Sequence, residues 1–163
     1  MNPLKQPRPA LPGKPTESLD VRMQSRVPGR VLGLDVGDRR IGVAVSDELG
    51  LTAQPVLTLV RKNRRRDLAS LARLVRKYGC AQVVVGNPLY MSGDISPQAL
   101  KAQAVAQALH LETGAMVTLW DERLSTTEAH RHLDAAGRLG DRRAVIDQVA
   151  AVLILQSFLD SRR

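Results

Sequence analysis

The chain has 163 residues and a mass of 17.8 kDa, the length of one domain with a short remainder, too short for the usual two-domain enzyme. With 44% hydrophobic and 25% charged residues it can bury a core and lacks the composition of a disordered protein, but aromatics are only 2%, which argues against a carbohydrate-stacking surface or an aromatic platform for bases. The net charge of +8 and pI ≈ 10.5 fit a protein that meets phosphates.

The charge is unevenly placed. Residues 1–29 hold Lys5, Arg8, Lys14, Arg22 and Arg26 against Glu17 and Asp20, Arg162 and Arg163 close the chain, and only +3 is left for the body. Six of nine prolines lie in the first 28 residues, so 1–29 is expected to be a disordered Pro/Arg-rich extension before a domain spanning 30–160. A lone Cys80 excludes a disulfide framework and a thiolate metal cluster, and points to a reducing compartment, the cytoplasm. The apolar run from Val149 to Leu155 is far shorter than the ~20 residues that cross a bilayer, and the basic N-terminus lacks the apolar stretch of a secretory signal.

Val31 to Val36 reads as a strand, and Ile41, Val43 and Val45 alternate with small residues in a second one after a tight polar turn. A third strand, Thr52 to Val60, contains Pro55 and should therefore lie at an edge or a bulge. Asn63 is a plausible cap for a helix with Leu68, Leu71, Ala72 and Val75 on one face and a stop at Gly79. Gln82 to Val85 is a short buried strand, Ser96-Pro97 starts a helix to about Thr113, and Met116 to Trp120 is a fifth strand. Ser125-Thr126-Thr127-Glu128 matches a capping box for a helix ending near Gly137, and a last helix runs from Asp141 or Ala144 to about Asp160. The order β-β-β-α-β-α-β-α-α predicts an α/β domain: an antiparallel three-strand meander plus parallel strands in one five-stranded mixed sheet, with helices on both faces.

Three acids sit where a plain fold would not choose them. Asp35 shares a strand face with Gly33 and Gly37, which would leave room for a ligand; its structural alternative is a cap for the turn that follows. Asp121 and Glu122 follow the fifth strand, at the end where α/β sheets place their sites, or are simply loop residues with Arg123 as an internal salt partner. Asp147 heads the stripe Ala151, Ile154, Phe158 on the last helix, so its carboxylate asks for a cation; its structural alternative is a first-turn acid at an exposed fringe that gains from the helix dipole. If the acids converge, an all-oxygen donor set selects Mg²⁺ or Mn²⁺, and two such ions suit phosphodiester hydrolysis. His110, His130 and His132 fall on helices and fit ordinary surface roles, and no Ser-His-Asp or Cys-His set competes.

Gly33-Leu34-Asp35-Val36-Gly37 with Arg40-Ile41-Gly42-Val43-Ala44, then Val84 to Leu89 with Gly93, then Asp121 to Thr126, then Ile146-Asp147 with Ala150-Ala151 and Ile154-Leu155, resemble the YqgF family, also called RuvX-like Holliday junction resolvases. The resemblance covers about residues 30 to 160. It implies a ribonuclease-H-like fold and a metal-dependent endonuclease that resolves Holliday junctions or matures the 5′ end of pre-16S ribosomal RNA. It implies Asp35, Glu122 and Asp147 as catalytic, metal-binding acids. Asn87 replaces the family's usual Leu and would place an amide at the site. Arg142 and Arg143 stand for the basic segment before the final acid.

Arg39, Arg40, Asn87, Arg123, Arg142 and Arg143 are the candidate nucleic-acid contacts, whereas Arg64 to Arg66 read as a solvated face. Tyr90 is the one loop aromatic that would wedge between bases, although packing against the sheet is the plainer expectation. A junction resolvase cuts symmetrically and calls for a homodimer, while an RNA-trimming enzyme need not be one. Other classes are a nucleotide-binding kinase half, for which the chain is too short, and a non-catalytic nucleic-acid or ribosome-binding module, which would have no need of three acids.

Overall fold

A computed structural model describes residues 29–124 and 142–163. The proline-rich extension, the helix expected from Ser125, its capping box, His130 and His132 lie outside the described residues, as does the side chain of Arg142. Five strands form one sheet: β1 Val31–Val36, β2 Arg40–Ser46, β3 Ala53–Val60, β4 Gln82–Asn87 and β5 Met116–Asp121. Three α-helices are described, α1 Arg64–Tyr78, α2 Pro97–Thr113 and α3 Arg142–Asp160, with a 3₁₀ turn at Glu122–Leu124.

The strand order is β3-β2-β1-β4-β5. β1 pairs antiparallel with β2, and β2 with β3, while β1–β4 and β4–β5 are parallel. β3 is an edge strand, and the β2–β3 register slips between Val43↔Leu57 and Ala44↔Pro55. Pro55, which has no N–H for a central ladder, thus sits where both its expected placements coincide.

The alternation of β1 and β2 divides the molecule into two apolar layers. Leu32, Leu34, Val36, Ile41, Val43, Val83 and Val85 face α1 and α2. Val31, Ala44 and Val84 face α3 through Ala151, Ile154, Leu155 and Phe158. The stripe that Asp147 heads is therefore core. Trp120 closes this second layer edge-on to Phe158, with ring centres 5.5 Å apart, and donates to the Ser157 hydroxyl.

The helix ends follow their sequence signals. Asn63 accepts from the Arg66 N–H, and Gly79 takes the left-handed φ of 61° that ends α1. Ser96 accepts from the Ala99 N–H with Pro97 in the first turn of α2. Cys80 is buried and its thiol is pushed up to about 11 by burial, a core side chain rather than a nucleophile.

Candidate active site at the carboxyl end of β1

The site begins with glycines on the α3 face of the sheet. A Cβ at Gly33 would lie 2.7 Å from Leu155 Cβ, and one at Gly42 only 1.9 Å from the Asp147 carbonyl oxygen. At Gly86 it would meet Glu122 Oε1 at 2.5 Å and Ile154 Cδ1 at 2.6 Å. Side-chain-free positions on β1, β2 and β4 thus let α3 lie directly on the backbone of the sheet. This revises the expectation that Gly33 and Gly37 leave room for a ligand: Leu155 fills the first space, and the Arg40 carbonyl, which accepts from the Gly37 N–H at 2.8 Å, fills the second. Gly42 and Gly86 were legible only as glycines in strands; what they admit comes from α3 and from Glu122, far along the chain.

Asp35 sits opposite Gly42 in the β1–β2 ladder, so the Asp147 turn of α3 comes down beside it. Its carboxyl is pushed up to about 6, first by burial and then by the Asp147 charge. Glu122, on the 3₁₀ turn after β5, is pushed up to about 7 by burial, by Asp35 and by Asp121. The three acids expected from the sequence are therefore brought to one end of the sheet from three elements, close enough to feel one another's charge.

Asp147 has a partner within the site. Arg40 Nε donates to its Oδ2 at 2.7 Å, and both side chains are about one-quarter exposed. The cation that the apolar stripe called for is supplied by β2 as the Arg40 guanidinium. Thr58 on the edge strand donates to the Ala144 carbonyl at 2.5 Å and ties the first turn of α3 to the sheet.

The other candidates fall around this centre. Arg39 is solvent-facing in the β1–β2 turn, and Arg143 is exposed at the start of α3. Asn87 lies opposite Asp121 at the β4–β5 end, and its Oδ1 accepts from Gln103. Arg123 is held by the Asp121 carboxylate through Nε and Nη2, at 3.0 and 2.6 Å, and its Nη1 donates to the Met91 carbonyl. That chelation holds the Asp121 carboxyl below the usual carboxylate range and ties Arg123 to the loop after β4. In that loop Tyr90 is 53% exposed rather than packed on the sheet, beside exposed Met91 and Ile95.

Whether the donors suit a divalent cation turns on chemistry. Among the described residues no three His, Cys, Asp or Glu side chains are placed so as to hold a metal ion as they stand. The donors that converge are all carboxylate oxygens, which suit a hard ion, and the burial and, after it, the mutual repulsion that push Asp35 and Glu122 up are what a cation would offset. The set fits Mg²⁺ or Mn²⁺ provided Asp147 exchanges its guanidinium partner for the ion.

Residues 29–161 match the family model described as RuvX, Holliday junction resolvase. A relative from Moorella thermoacetica, named "Putative pre-16S rRNA nuclease", is 51% identical over 132 residues, covering 80% of this chain and 94% of the relative. One of the same name from Lachnospira eligens is 44% identical over 138 residues, covering 82% and 99%. Among solved structures, RuvC of T. thermophilus in complex with a Holliday junction substrate aligns with a TM-score of 0.57 at 15% identity, over 82% of this chain and 95% of RuvC. The Fowlpox virus resolvase in complex with Holliday junction DNA aligns at 0.50 and 13%, over 81% and 97%. At such identities the likeness speaks for the fold alone, and that fold is the ribonuclease-H-like fold of the resolvases.

Proposed function

The chain belongs to the RuvX family of nucleases, and from that membership we propose that it is a divalent-metal-dependent endonuclease that hydrolyses phosphodiester bonds in structured nucleic acid. The observation that carries this reading is the convergence of Asp35, Glu122 and Asp147 at the end of β1, with two of the three carboxyls raised toward neutrality by burial and by other acids. Acids shifted in this way belong to sites built for charge, not to a solvated loop.

Asp35, Glu122 and Asp147 would hold the ion or ions. Mg²⁺ or Mn²⁺ bound there supplies a water of lowered pKa and neutralises charge that builds on the phosphate oxygens. The chain's own residues set the stage. Asp35 is fixed on a central strand, so its carboxylate cannot retreat from the site. Glu122, with its carboxyl pushed up to about 7 by burial, Asp35 and Asp121, can hold or release a proton near neutrality. Arg40 orients Asp147 through the bond from its Nε to Oδ2 and places a positive charge beside the acids, where a substrate phosphate would come. Arg123 keeps the loop after β4 at the rim of the site.

Two substrates remain in view. The relatives are named for pre-16S ribosomal RNA and the family for the four-way junction. Junction resolution requires two symmetric cuts and hence a homodimer. The deciding experiment incubates wild type and Asp147→Asn with a labelled four-way DNA junction and with a pre-16S RNA fragment, each in EDTA, Mg²⁺ or Mn²⁺. Paired symmetric nicks that vanish in EDTA and in the variant establish a resolvase. Cleavage confined to RNA establishes rRNA maturation. Binding without cleavage under any metal overturns the catalytic reading in favour of a binding module.

A further inference from the structure

Building on the nuclease reading, we propose that a second surface, an open cleft bounded by the β1–β2 turn, the end of β3, the start of α1 and α2, holds the nucleic-acid backbone away from the bond that is cut, through Arg39, Lys62 and Arg64. The cleft measures about 590 Å³. Five cations line it, Arg39, Arg61, Lys62, Arg64 and Lys101, against two carboxylates, Asp38 and Asp67.

Both carboxylates are already committed. Asp67 is buried and accepts from Arg61 Nε at 3.2 Å and from the Lys62 N–H at 2.9 Å. Asp38 pairs with the Lys101 ammonium, which holds its carboxyl below the usual range. Among the described residues, no carboxylate lies within ion-pair distance of Arg39, Lys62 or Arg64, and all three are exposed. One such cation is ordinary surface. Three around one concavity add their fields, and concave walls concentrate the potential. The helix end contributes little, because Asn63 already caps it from its own side chain; the side chains are what an anion would meet.

The polyanion is singled out by continuity with the acid site. Arg61 donates from Nη1 to the Gly37 carbonyl at 3.0 Å and from its N–H to the Arg39 carbonyl at 2.8 Å, so the cleft is tied to the turn that follows Asp35. Neighbouring residues of that turn serve the two sides: Arg40 reaches Asp147, and Arg39 lines the cleft. A strand whose reacting phosphate lies at Asp35 has to cross this turn if it continues toward α1, and its next phosphates meet Arg39, Lys62 and Arg64, of which only Arg39 feels a nearby carboxylate, Asp38. A lone phosphate could not use the acid site and the cleft together, whereas a backbone with regularly spaced charges can. The run Arg64 to Arg66, which reads from sequence as a solvated face, thus divides: Arg64 lines the cleft, and the Arg66 N–H is committed to the cap.

The test measures binding in EDTA, where no cutting occurs, of wild type, Lys62→Gln/Arg64→Gln and the control Arg76→Gln/Lys77→Gln, whose charges lie in the last turn of α1. The probes are four-way DNA junctions with long and with short arms, across a salt series. Lys62 and Arg64 are exposed, so the fold is not at risk, and circular dichroism confirms it. The expected result is about a tenfold loss of affinity for the long-armed junction in the cleft variant, with the slope of log affinity against log salt shallower by about two. The control should keep the wild-type values, and the short-armed junction should lose less. Unchanged affinity and slope in the cleft variant, or an equal loss in the control, overturns the proposal. Because no metal is present, absence of cleavage in the separate nuclease assay would sink the nuclease reading without deciding the cleft, and the converse also holds.

Discussion

The Asp147 carbonyl oxygen occupies the place where a Cβ on Gly42 would stand, 1.9 Å from that ideal position. One glycine therefore sets how closely α3 approaches the sheet and how near the Asp147 carboxylate comes to Asp35 on the paired residue of β1. Gly42→Ala must push back a helix backbone, which no rotamer change can relieve. We expect a loss of about 2 to 3 kcal/mol in a denaturant titration, with cleavage lost even at temperatures where the variant is folded. A Gly50→Ala control, where the added Cβ meets nothing and only the φ of 68° is strained, should cost about 1 kcal/mol and leave cleavage intact.

Removing the charge of Asp35 should stabilise the metal-free protein, and only at higher pH. A carboxyl raised from 3.8 to about 6 binds its proton more tightly folded than unfolded, so between those values the native state holds the extra proton and stability falls as pH rises. Below about pH 3 both states are protonated and nothing is lost; above pH 7 the full penalty applies. In EDTA, Asp35→Asn should therefore be more stable than wild type at pH 8, by up to about 2 kcal/mol given partial screening by water, and equally stable at pH 3. Adding Mg²⁺ at pH 8 should raise the melting temperature of the wild type and not of the variant. Equal melting at both pH values would show that burial does not penalise this charge.

Arg40 and a divalent ion compete for Asp147. Arg40→Gln removes both a rival for the carboxylate and a like charge beside the incoming ion, so Mn²⁺ should bind several-fold more tightly by calorimetry. Weaker Mn²⁺ binding would mean instead that the guanidinium holds Asp147 in its ligating position.

Ser96 connects two backbones. Its Oγ accepts from the Ala99 N–H to cap α2 and donates to the Pro88 carbonyl at 2.5 Å, within a nearly buried pocket. Ser96→Ala loses the cap and strands the carbonyl, a cost of about 2 kcal/mol read from thermal or urea unfolding. Limited proteolysis should then cut first between Tyr90 and Ile95.

The element order and the mixed sheet were legible because each strand and helix rests on local pattern: the alternation of Val31 to Val36, the edge signal of Pro55, the apolar stripe below Asp147; Asp35, Glu122 and Asp147 as a set came from the family resemblance. The partnerships were not. That Arg40 would meet Asp147, 107 residues later, depends on how α3 crosses β2, which no local period encodes. The same holds for Gly42 and Gly86, whose roles exist only once α3 and the 3₁₀ turn have docked. Tyr90 misled for the opposite reason: an aromatic is ordinarily worth burying, and here the loop is tied by Arg123 and Ser96 so that it stays out.

Asp147 also shares a rigid body with the second apolar layer, since the turns that follow it supply Ala151, Ile154, Leu155 and Phe158. No partial opening of the molecule can detach this carboxylate and leave that layer in place. Cleavage should accordingly vanish with the same midpoint in urea as the near-ultraviolet signal of Trp120, which makes turnover a folding gauge for one half of the domain.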